Sequence, residues 1–310
     1  MLLWVLVVPA VVWLVFRLGG WERGALVQLM AFTPYVAGWS LVPLVLAVAA
    51  RRWNVAVVAF AVVLVFAVLV MPRVRTGDPG PSQGVELHVM TSNMLIGGAD
   101  PAAIVRLVRE NKVDVLALQE FTPSGRRALE SSGLRELLPY SSLGDEPGAS
   151  GSGLYSRFPI TGGGDRRYGG GFRQAYGTVQ PPGAGPLVFE SAHPRAPVTP
   201  DVNRQWQQDL ADQPQPDAEG PPQVLLGDFN STLDHRSLRR LISTGYRDAG
   251  DATGSGLVPT WPYLEHEGVP KVTIDHVLVD KRIGVRQLSA HRIPRSDHRA
   301  LIAVLTVPAA

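Results

Sequence analysis

The chain has 310 residues, of which 45% are hydrophobic, 32 are glycine, 26 are proline and none is cysteine. Its net charge of +2 is unevenly distributed: the first 75 residues hold six arginines and a single acid, Glu22, and therefore carry +5, which leaves −3 for the rest. This distribution excludes a uniformly basic nucleic-acid binder and a uniform soluble protein. The absence of cysteine excludes disulfides, a thiolate nucleophile and a cysteine-type zinc site.

The first quarter, residues 1–75, is predicted to be a membrane anchor. Residues 24–50 and 53–72 contain no charged residue, and each run matches or exceeds the roughly 20 apolar residues that span a bilayer core. The opening run, residues 1–16, is shorter and contains Pro9. We interpret it as a third span and not as a signal peptide, because it has no basic leader and no small-residue cleavage site before Arg17. The sequence thus predicts about three transmembrane helices, a multi-pass protein and the lipid bilayer as its partner.

Two features of the basic residues give opposite orientations for this anchor. A count of four basic residues on the side of the large domain, against two at Arg51 and Arg52, places that domain in the cytoplasm. The compact Arg51-Arg52-Trp53 hairpin, however, is typical of a tight cytoplasmic turn. We favour the hairpin and expect an extracytoplasmic domain. Residues 76–84 are rich in turn residues and lack periodicity, so they are predicted to be a linker.

Residues 85–310 alternate strand-like and helix-like segments and are predicted to form one catalytic domain. Predicted strands cover residues 85–91, 113–118, 152–158, 174–180, 186–192, 222–227, 272–279, 285–291 and 299–307, and predicted helices cover 101–110, 123–138, 201–211 and 235–243. Glycine- and proline-rich stretches at 144–151, 161–171, 181–185 and 213–222 separate them. Many strands with few long helices favour an α+β layered sandwich over a doubly wound sheet.

Polar residues recur where the apolar strands of this domain end or begin. Each has an ordinary structural explanation by itself, as a turn residue, a helix-start residue or a solvated loop residue. Together they form an ordered series: Asn93, Glu120, His193, Asp228 and Asn230 in a Gly-Asp-Phe-Asn run, Asp275, and finally Asp297 with His298. Strand ends present side chains to a shared cleft, so the series predicts one polar site.

In chain order the motifs that carry this series are TSNML (91–95), LQE (118–120), GLYSRFPI (153–160), SAHP (191–194), GDFN (227–230), TWP (260–262), TIDHVLV (273–279) and SDH (296–298). They resemble the endonuclease/exonuclease/phosphatase superfamily over roughly residues 85–307. The N-terminal spans lie outside the resemblance, and the whole arrangement most resembles a bacterial membrane-anchored branch. The resemblance implies a DNase I-like, four-layer α/β/β/α sandwich and hydrolysis of phosphoric esters.

The resemblance also implies roles for the site residues. Glu120 and Asn93 would hold Mg²⁺, with Mn²⁺ as the alternative, because this ion prefers oxygen ligands, and Asp297 would be a second acidic position near the ion. Asp228 would be the general base, and Asn230 would orient the attacking water or a phosphate oxygen. His298 would contact the phosphoryl oxygen as an imidazolium held by Asp275. His193 would contact the phosphate or assist the leaving group, whereas His276 is expected to be structural.

Three functions remain open from the sequence. A membrane-anchored, metal-dependent hydrolase of phospholipid or other envelope phosphates is favoured, because the tether holds the site near lipid phosphodiesters. A membrane-tethered endonuclease or exonuclease is the alternative, and Arg166, Arg167, Arg173 and Arg195 are predicted to form its local basic patch. A non-catalytic membrane scaffold is the third. No protein partner is evident.

Overall fold

The structure, a computed structural model, describes residues 2–263 and 268–310. Met1, in the first predicted span, and residues 264–267, in the predicted catalytic domain, lie outside the described residues. The helices are α1 (Leu2–Gly19), α2 (Leu26–Met30), α3 (Thr33–Trp39), α4 (Leu41–Ala49), α5 (Trp53–Val70), α6 (Pro101–Glu110), α7 (Pro123–Ser131), α8 (Leu134–Leu137), α9 (Asn203–Ala211), α10 (Arg236–Ser243) and α11 (Ala249–Ala252).

The strands form two six-stranded sheets. They are β1 (Val85–Asn93), β2 (Val115–Gln119), β3 (Tyr140–Gly144), β4 (Ser152–Ser156), β5 (Ile160–Arg167), β6 (Arg173–Val179), β7 (Leu187–Ala192), β8 (Gln223–Asp228), β9 (Tyr246–Asp248), β10 (Asp275–Asp280), β11 (Gly284–Arg292) and β12 (Arg299–Val307). Sheet A has the order β11-β12-β1-β2-β4-β3, and sheet B has the order β5-β6-β7-β8-β10-β9. The pairs β1–β2 and β7–β8 are parallel, and their neighbours on either side are antiparallel.

The two sheets pack face to face around an apolar core. Alternation along each strand decides which side chains enter it: in β8, Val224 and Leu226 lie between the sheets, whereas Leu225 lies on the opposite face. Helices α6 to α8 cover the outer face of sheet A, and α9 and α10 cover that of sheet B through residues such as Ile104 and Trp206. The predicted α+β sandwich of two sheets is therefore confirmed.

In the apolar N-terminal quarter, the prediction of about three membrane helices is supported for one helix only. Within the described ranges, Trp53–Val74, which is α5 with the 3₁₀ turn that follows it, is the single helix long and apolar enough to cross a membrane by length and composition. α1 and the stretch through α3 and α4 fall short of that length. The charge-free run 24–50 is divided into α2, α3 and α4, with proline at the start of α3. The structure supports neither a multi-pass topology nor a particular side of the membrane for the catalytic domain.

These N-terminal helices pack directly on the helical layer of sheet B. Val27 is fully buried among Trp206, Leu238 and their neighbours. Near the base of α10, the buried carboxylate of Asp234 accepts hydrogen bonds from Arg17 Nε (2.8 Å) and from Arg73 Nη1 and Nη2 (2.7 Å each). The predicted linker has no regular secondary structure, but it too is attached to the sandwich, because Val285 N donates to Pro79 O at 2.7 Å.

Several predicted element boundaries were wrong. The helix predicted over 123–138 is two helices, because Gly133 adopts a left-handed backbone with φ 92° between α7 and α8. The stretch 161–171 was predicted to be a break, yet most of it belongs to β5, which pairs with β6 through an irregular register near Thr161 and Gly164. Strands β3 and β9 were not predicted.

Candidate active site

All eight predicted site residues lie at one edge of the sandwich, and the strand directions explain why. Asn93 ends β1 and Glu120 follows the parallel strand β2, while His193 and Asp228 follow or end the parallel pair β7–β8. The neighbouring antiparallel strands run the opposite way, so the same edge receives their first residues, which are Asp275 of β10 and the Asp297-His298 pair before β12.

Glu120 and Asn93 are in direct contact. Asn93 Nδ2 donates to Glu120 Oε1 and to Asp228 Oδ2, both at 3.1 Å, and Glu120 Oε2 accepts from Ile96 N at 2.8 Å. Burial raises the pKa of Glu120 above its ordinary value, although these hydrogen bonds oppose the shift. Glu120 also has a left-handed backbone with φ 53°, a conformation that non-glycine residues adopt mainly where the surroundings enforce it.

Asp228 lies at the centre of the site and is 2% exposed. Its Oδ1 accepts from Asn230 N at 2.8 Å, and its Oδ2 lies 3.6 Å from His298 Nε2 and 3.7 Å from His193 Nε2. Burial raises the pKa of Asp228 to about 7 despite the attraction of His298. The side chain of Asn230 donates from Nδ2 to Pro194 O at 3.1 Å, which connects this loop to the one that carries His193.

His298 and Asp275 form a buried pair. His298 Nδ1 donates to Asp275 Oδ2 at 2.9 Å, and the Nε2 of the same ring faces Asp228. Burial disfavours a charged imidazole, but the carboxylates of Asp275 and Asp228 outweigh it and raise the pKa of His298 to about 10. His298 is therefore a cation at neutral pH, with its Nε2–H directed into the site.

His193 has the opposite protonation preference. It is 2% exposed, its ring packs on Phe172 with centroids 4.8 Å apart, and its Nδ1 has no hydrogen-bond partner among the described residues. Burial and the nearby positive His298 lower the pKa of His193 to about 3. The site thus contains one neutral and one cationic imidazole on either side of Asp228.

Residues of the TWP and SDH motifs hold the acidic residues in place. Trp261 Nε1 donates to Asp297 Oδ2 at 2.9 Å, and Thr260 Oγ1 accepts from the backbone N–H of Asp275 at 3.1 Å. Ser296 Oγ donates to Asn93 O at 2.9 Å and accepts from His298 N at 3.1 Å. The sequence singled out these motifs, but it did not predict these contacts.

The donor set fits a hard divalent cation. Asp228, Asp275 and His298 each offer one ligand atom within 4.8 Å of the others, although the raised pKa of His298 keeps its ring protonated, and a protonated imidazole is a poor metal ligand. Asp275 Oδ1 and Asp297 Oδ1 are buried and have no hydrogen-bond partner among the described residues. Buried, unpaired carboxylate oxygens are costly unless a cation or a donor satisfies them. Glu120, Asn93 and Asp297 remain the residues that could hold Mg²⁺. Asn93 Nδ2, and not Oδ1, faces Glu120 and Asp228 in this structure, so its amide would have to turn to present its oxygen there.

Two further predictions can be compared with the structure. His276 is structural as expected, because it lies on the other side of β10 with Nδ1 2.8 Å from Asp248 Oδ2 and Nε2 2.8 Å from Ser231 O. The predicted basic patch is largely neutralised. Arg167 and Arg173 pair with Glu146, and Arg166 pairs with Glu190. Arg195 pairs with no carboxylate among the described residues, and its Nη1 donates to Gln205 Oε1 at 3.4 Å.

The endonuclease/exonuclease/phosphatase family model matches residues 90–298, which contain all eight site residues. The chain belongs to this family. Family members hydrolyse phosphoester bonds and depend on divalent metal ions. No curated protein matches the sequence.

Solved structures of family proteins share the fold. An endonuclease/exonuclease/phosphatase from Beutenbergia cavernae is 19% identical, with a TM-score of 0.59 and 72% of each chain covered. A humanized Danio rerio TDP2 is 15% identical, with a TM-score of 0.58, 72% of this chain and 99% of that chain covered. A truncated Caenorhabditis elegans TDP2 is 17% identical, with a TM-score of 0.56, 73% of this chain and 100% of that chain covered.

The family match does not extend to the N-terminal helices, yet they contribute to the site. Above the acidic residues lies a cleft of about 400 Å³, and Val27, Gln28, Ala31 and Phe32 line part of it. Sequence reasoning missed this contribution, because the apolar run 24–50 was interpreted only as a membrane span. No local pattern signals a contact between segments about 200 positions apart.

Proposed function

We propose that this protein is a membrane-associated, divalent-metal-dependent phosphoric-ester hydrolase. The observation that carries the proposal is the meeting of a buried carboxylate, Asp228, with a cationic imidazole, His298, beside the carboxylate of Glu120 and the amide of Asn93. The chemistry that a bound Mg²⁺ or Mn²⁺ supplies is neutralisation of the phosphate charge, which otherwise repels an anionic nucleophile.

The chain's own residues divide the remaining work. Asp228 accepts the proton of the attacking water, since burial places its pKa near neutrality, and Asn230 fixes the Asp228 loop against the His193 loop. His298 donates from Nε2 to a phosphoryl oxygen and stabilises the charge that grows there. The neutral ring of His193 contacts the phosphate or the leaving group. Asp275 acts through His298 and is a positioning residue.

Membrane association is supported by the outer surface of the N-terminal helices. Val57, Phe60, Leu64 and Val68 form an exposed apolar stripe along α5 at helical spacing. A stripe of this kind normally contacts lipid or another apolar partner. This surface and the neutralised arginines favour a lipid or other envelope phosphate as substrate over nucleic acid.

Substitution of Glu120 and His298 tests the reaction. With p-nitrophenyl methyl phosphate and Mg²⁺, we expect Glu120→Gln and His298→Ala each to reduce kcat/KM by at least about 100-fold, because each removes a charge that stabilises the transition state. EDTA should abolish the wild-type activity. Glu110→Gln and His291→Ala are the matched controls and should behave like wild type, since neither residue lies at the site.

Unchanged activity in both site variants, with melting temperatures close to wild type, would contradict the assignment. A wild-type protein without metal-dependent turnover would instead favour the non-catalytic scaffold. DNA cleavage that falls steeply with added salt, together with inactivity on phospholipid vesicles, would favour the nuclease.

A further inference from the structure

The catalytic cleft has a polar floor and apolar walls. Glu120, Asp228 and His298 form the floor. The walls come from four separate stretches of the chain and include Val27, Ala31, Phe32, Phe172, Val198 and Val269. The first three belong to the N-terminal helices, and we call residues 27–32 the wall segment.

The wall segment is firmly attached to the sandwich. His235 Nε2 donates to Val27 O at 2.7 Å, while His235 Nδ1 accepts from Thr232 N at 2.8 Å, which fixes the ring. Gln28 Nε2 donates to Pro197 O, in the loop that carries Val198. Val27 is fully buried. These contacts make the wall segment a structural part of the cleft.

The walls offer little to a polar or charged substrate group. Phe32 and Phe172 are half-buried, and Val198 and Val269 are exposed at the cleft. Of the four arginines predicted to lie nearby, Arg166, Arg167 and Arg173 already pair with carboxylates. Arg195 has no carboxylate partner among the described residues, so one cation of the predicted patch remains. A nucleic-acid backbone needs cations along its path, whereas an alkyl chain gains free energy for each methylene removed from water.

Exposed apolar side chains also lie within the wall segment and shortly after it in the sequence. Leu29 within it and Tyr35 and Trp39 beyond it in α3 are exposed.

We propose that the wall segment, with Phe172, Val198 and Val269, binds an alkyl chain of the substrate, so that the enzyme selects phosphoesters with a long alkyl group over small or nucleotide phosphoesters. The inference rests on the proposed hydrolase function and deepens it. It makes Phe32 and Val198 specificity-determining residues on two independent parts of the chain.

A series of esters with one leaving group tests this selectivity. Full-length protein in detergent micelles is assayed with Mg²⁺ on p-nitrophenyl methyl phosphate, p-nitrophenyl octyl phosphate and p-nitrophenyl thymidine 5′-phosphate. We expect kcat/KM for the octyl ester to exceed that for the methyl ester by at least about 10-fold, because several methylenes enter the cleft. The thymidine ester should stay close to the methyl ester.

Two variants and a matched control locate the effect. Phe32→Ser and Val198→Ser should each reduce the octyl-to-methyl ratio to below about 3, because each makes a wall polar. Phe60→Ser lies on the exposed stripe of α5 away from the cleft and should keep the wild-type octyl-to-methyl ratio. The octyl ester partitions into micelles equally with every variant, so a ratio that falls only in the wall variants reflects binding in the cleft. Val198 is 72% exposed, so its variant is expected to fold.

The outcomes separate the two proposals. Equal turnover of the octyl and methyl esters by wild type, or a preference for the thymidine ester, overturns the alkyl-binding proposal and leaves the hydrolase intact. A high octyl-to-methyl ratio that survives in both wall variants also overturns it. No metal-dependent turnover of any ester overturns the hydrolase function, and with it the inference that rests on it.

Discussion

At the scale of single residues, the site depends on how Asp275 holds His298. The 2.9 Å bond from His298 Nδ1 to Asp275 Oδ2 leaves only Nε2 free to face Asp228 and a substrate. His276, which follows Asp275 in β10 and lies on its opposite face, forms a similar pair with Asp248 of β9 at 2.8 Å. Only the first pair faces the cleft, so the second provides a natural control.

Asp275→Asn is expected to reduce kcat by about 10–100-fold, the usual cost of losing a group that orients a catalytic histidine. The charge of Asp275 helps to raise the pKa of His298. Its loss lowers that pKa, so the alkaline limb of the pH–rate profile should move to lower pH. Activity of the variant and of Asp248→Asn is measured on p-nitrophenyl methyl phosphate from pH 6 to pH 10.

Asp248→Asn should leave the alkaline limb in place, although it removes a buried carboxylate of similar geometry. An alkaline limb that stays unchanged in Asp275→Asn would show that His298 does not act as the cation in turnover. Asp275→Glu keeps the charge and should restore the position of the limb, even where the rate stays low.

At the scale of helices and strands, local pattern predicted the elements whose own residues carry a clear helix or strand signal. The buried run that ends at Asp228 and the amphipathic run of α6 lie where the sequence places them. The strand β5 was missed because its glycines have no strand propensity, and its pairing with β6 defines it. The prediction that residues 24–50 form one membrane span was wrong, because the absence of charged residues does not show where a helix ends.

The same reasoning explains what the sequence showed of the site. Strand ends that share a sheet edge predict a polar cluster, and the eight residues do lie together. The contact of Trp261 with Asp297, and the wall segment above them, depend on tertiary packing across long sequence separations. No periodicity or spacing in the sequence reports such contacts.

Asp234 is the main ionic contact between the N-terminal helices and the sandwich. Its buried carboxylate bonds Arg17 Nε and both terminal nitrogens of Arg73, and the bonds and charge of Arg73 and Arg17 lower its pKa despite burial. Arg17 and Arg73 are 6% and 5% exposed, so neither charge has ready access to water. Removal of Asp234 would leave both guanidinium groups buried without a countercharge.

Asp234→Ala is therefore expected to lower the free energy of unfolding by about 3–5 kcal/mol, the range for breaking a buried ion pair. The N-terminal helices should also loosen from the sandwich, so limited proteolysis between α1 and α2 should become faster. The exposed Asp212→Ala is the control and should resemble wild type. Equal melting temperatures and equal cleavage rates for Asp234→Ala and wild type would contradict this role.

At the scale of the whole molecule, Glu146 links the two sheets of the sandwich. It lies in the loop between β3 and β4 of sheet A, and its Oε2 accepts from Arg167 Nη2 at 2.5 Å and from Arg173 Nε at 2.8 Å. Both arginines belong to the β5–β6 hairpin of sheet B. Glu146 thus adds two charged hydrogen bonds to the others that join the sheets here, such as that from Ser142 Oγ to Gly164 O at 2.8 Å.

Acid should weaken this link. Burial opposes ionisation, but Ser150, Arg173 and Arg167 outweigh it and lower the pKa of Glu146 from 4.5 to about 2. Since the folded pKa lies below the unfolded one, the stabilisation is fully present above pH 4.5 and is lost as the pH falls towards 2. The arginines are partly exposed, so we expect Glu146→Gln to cost only about 1–2 kcal/mol at pH 7.

Thermal unfolding of wild type and Glu146→Gln, followed by tryptophan fluorescence at pH 7, 4 and 3, measures this difference. The melting temperature of wild type should exceed that of Glu146→Gln by about 2–4 °C at pH 7. This difference should become smaller at pH 4 and again at pH 3, because protonation of Glu146 removes from wild type the charge that the substitution removes from the variant. Glu136→Gln, on the exposed surface of α8, should give no gap at any pH. A gap that stays constant from pH 7 to pH 3 would mean that Glu146 joins the sheets through its shape and neutral hydrogen bonds and not through its charge.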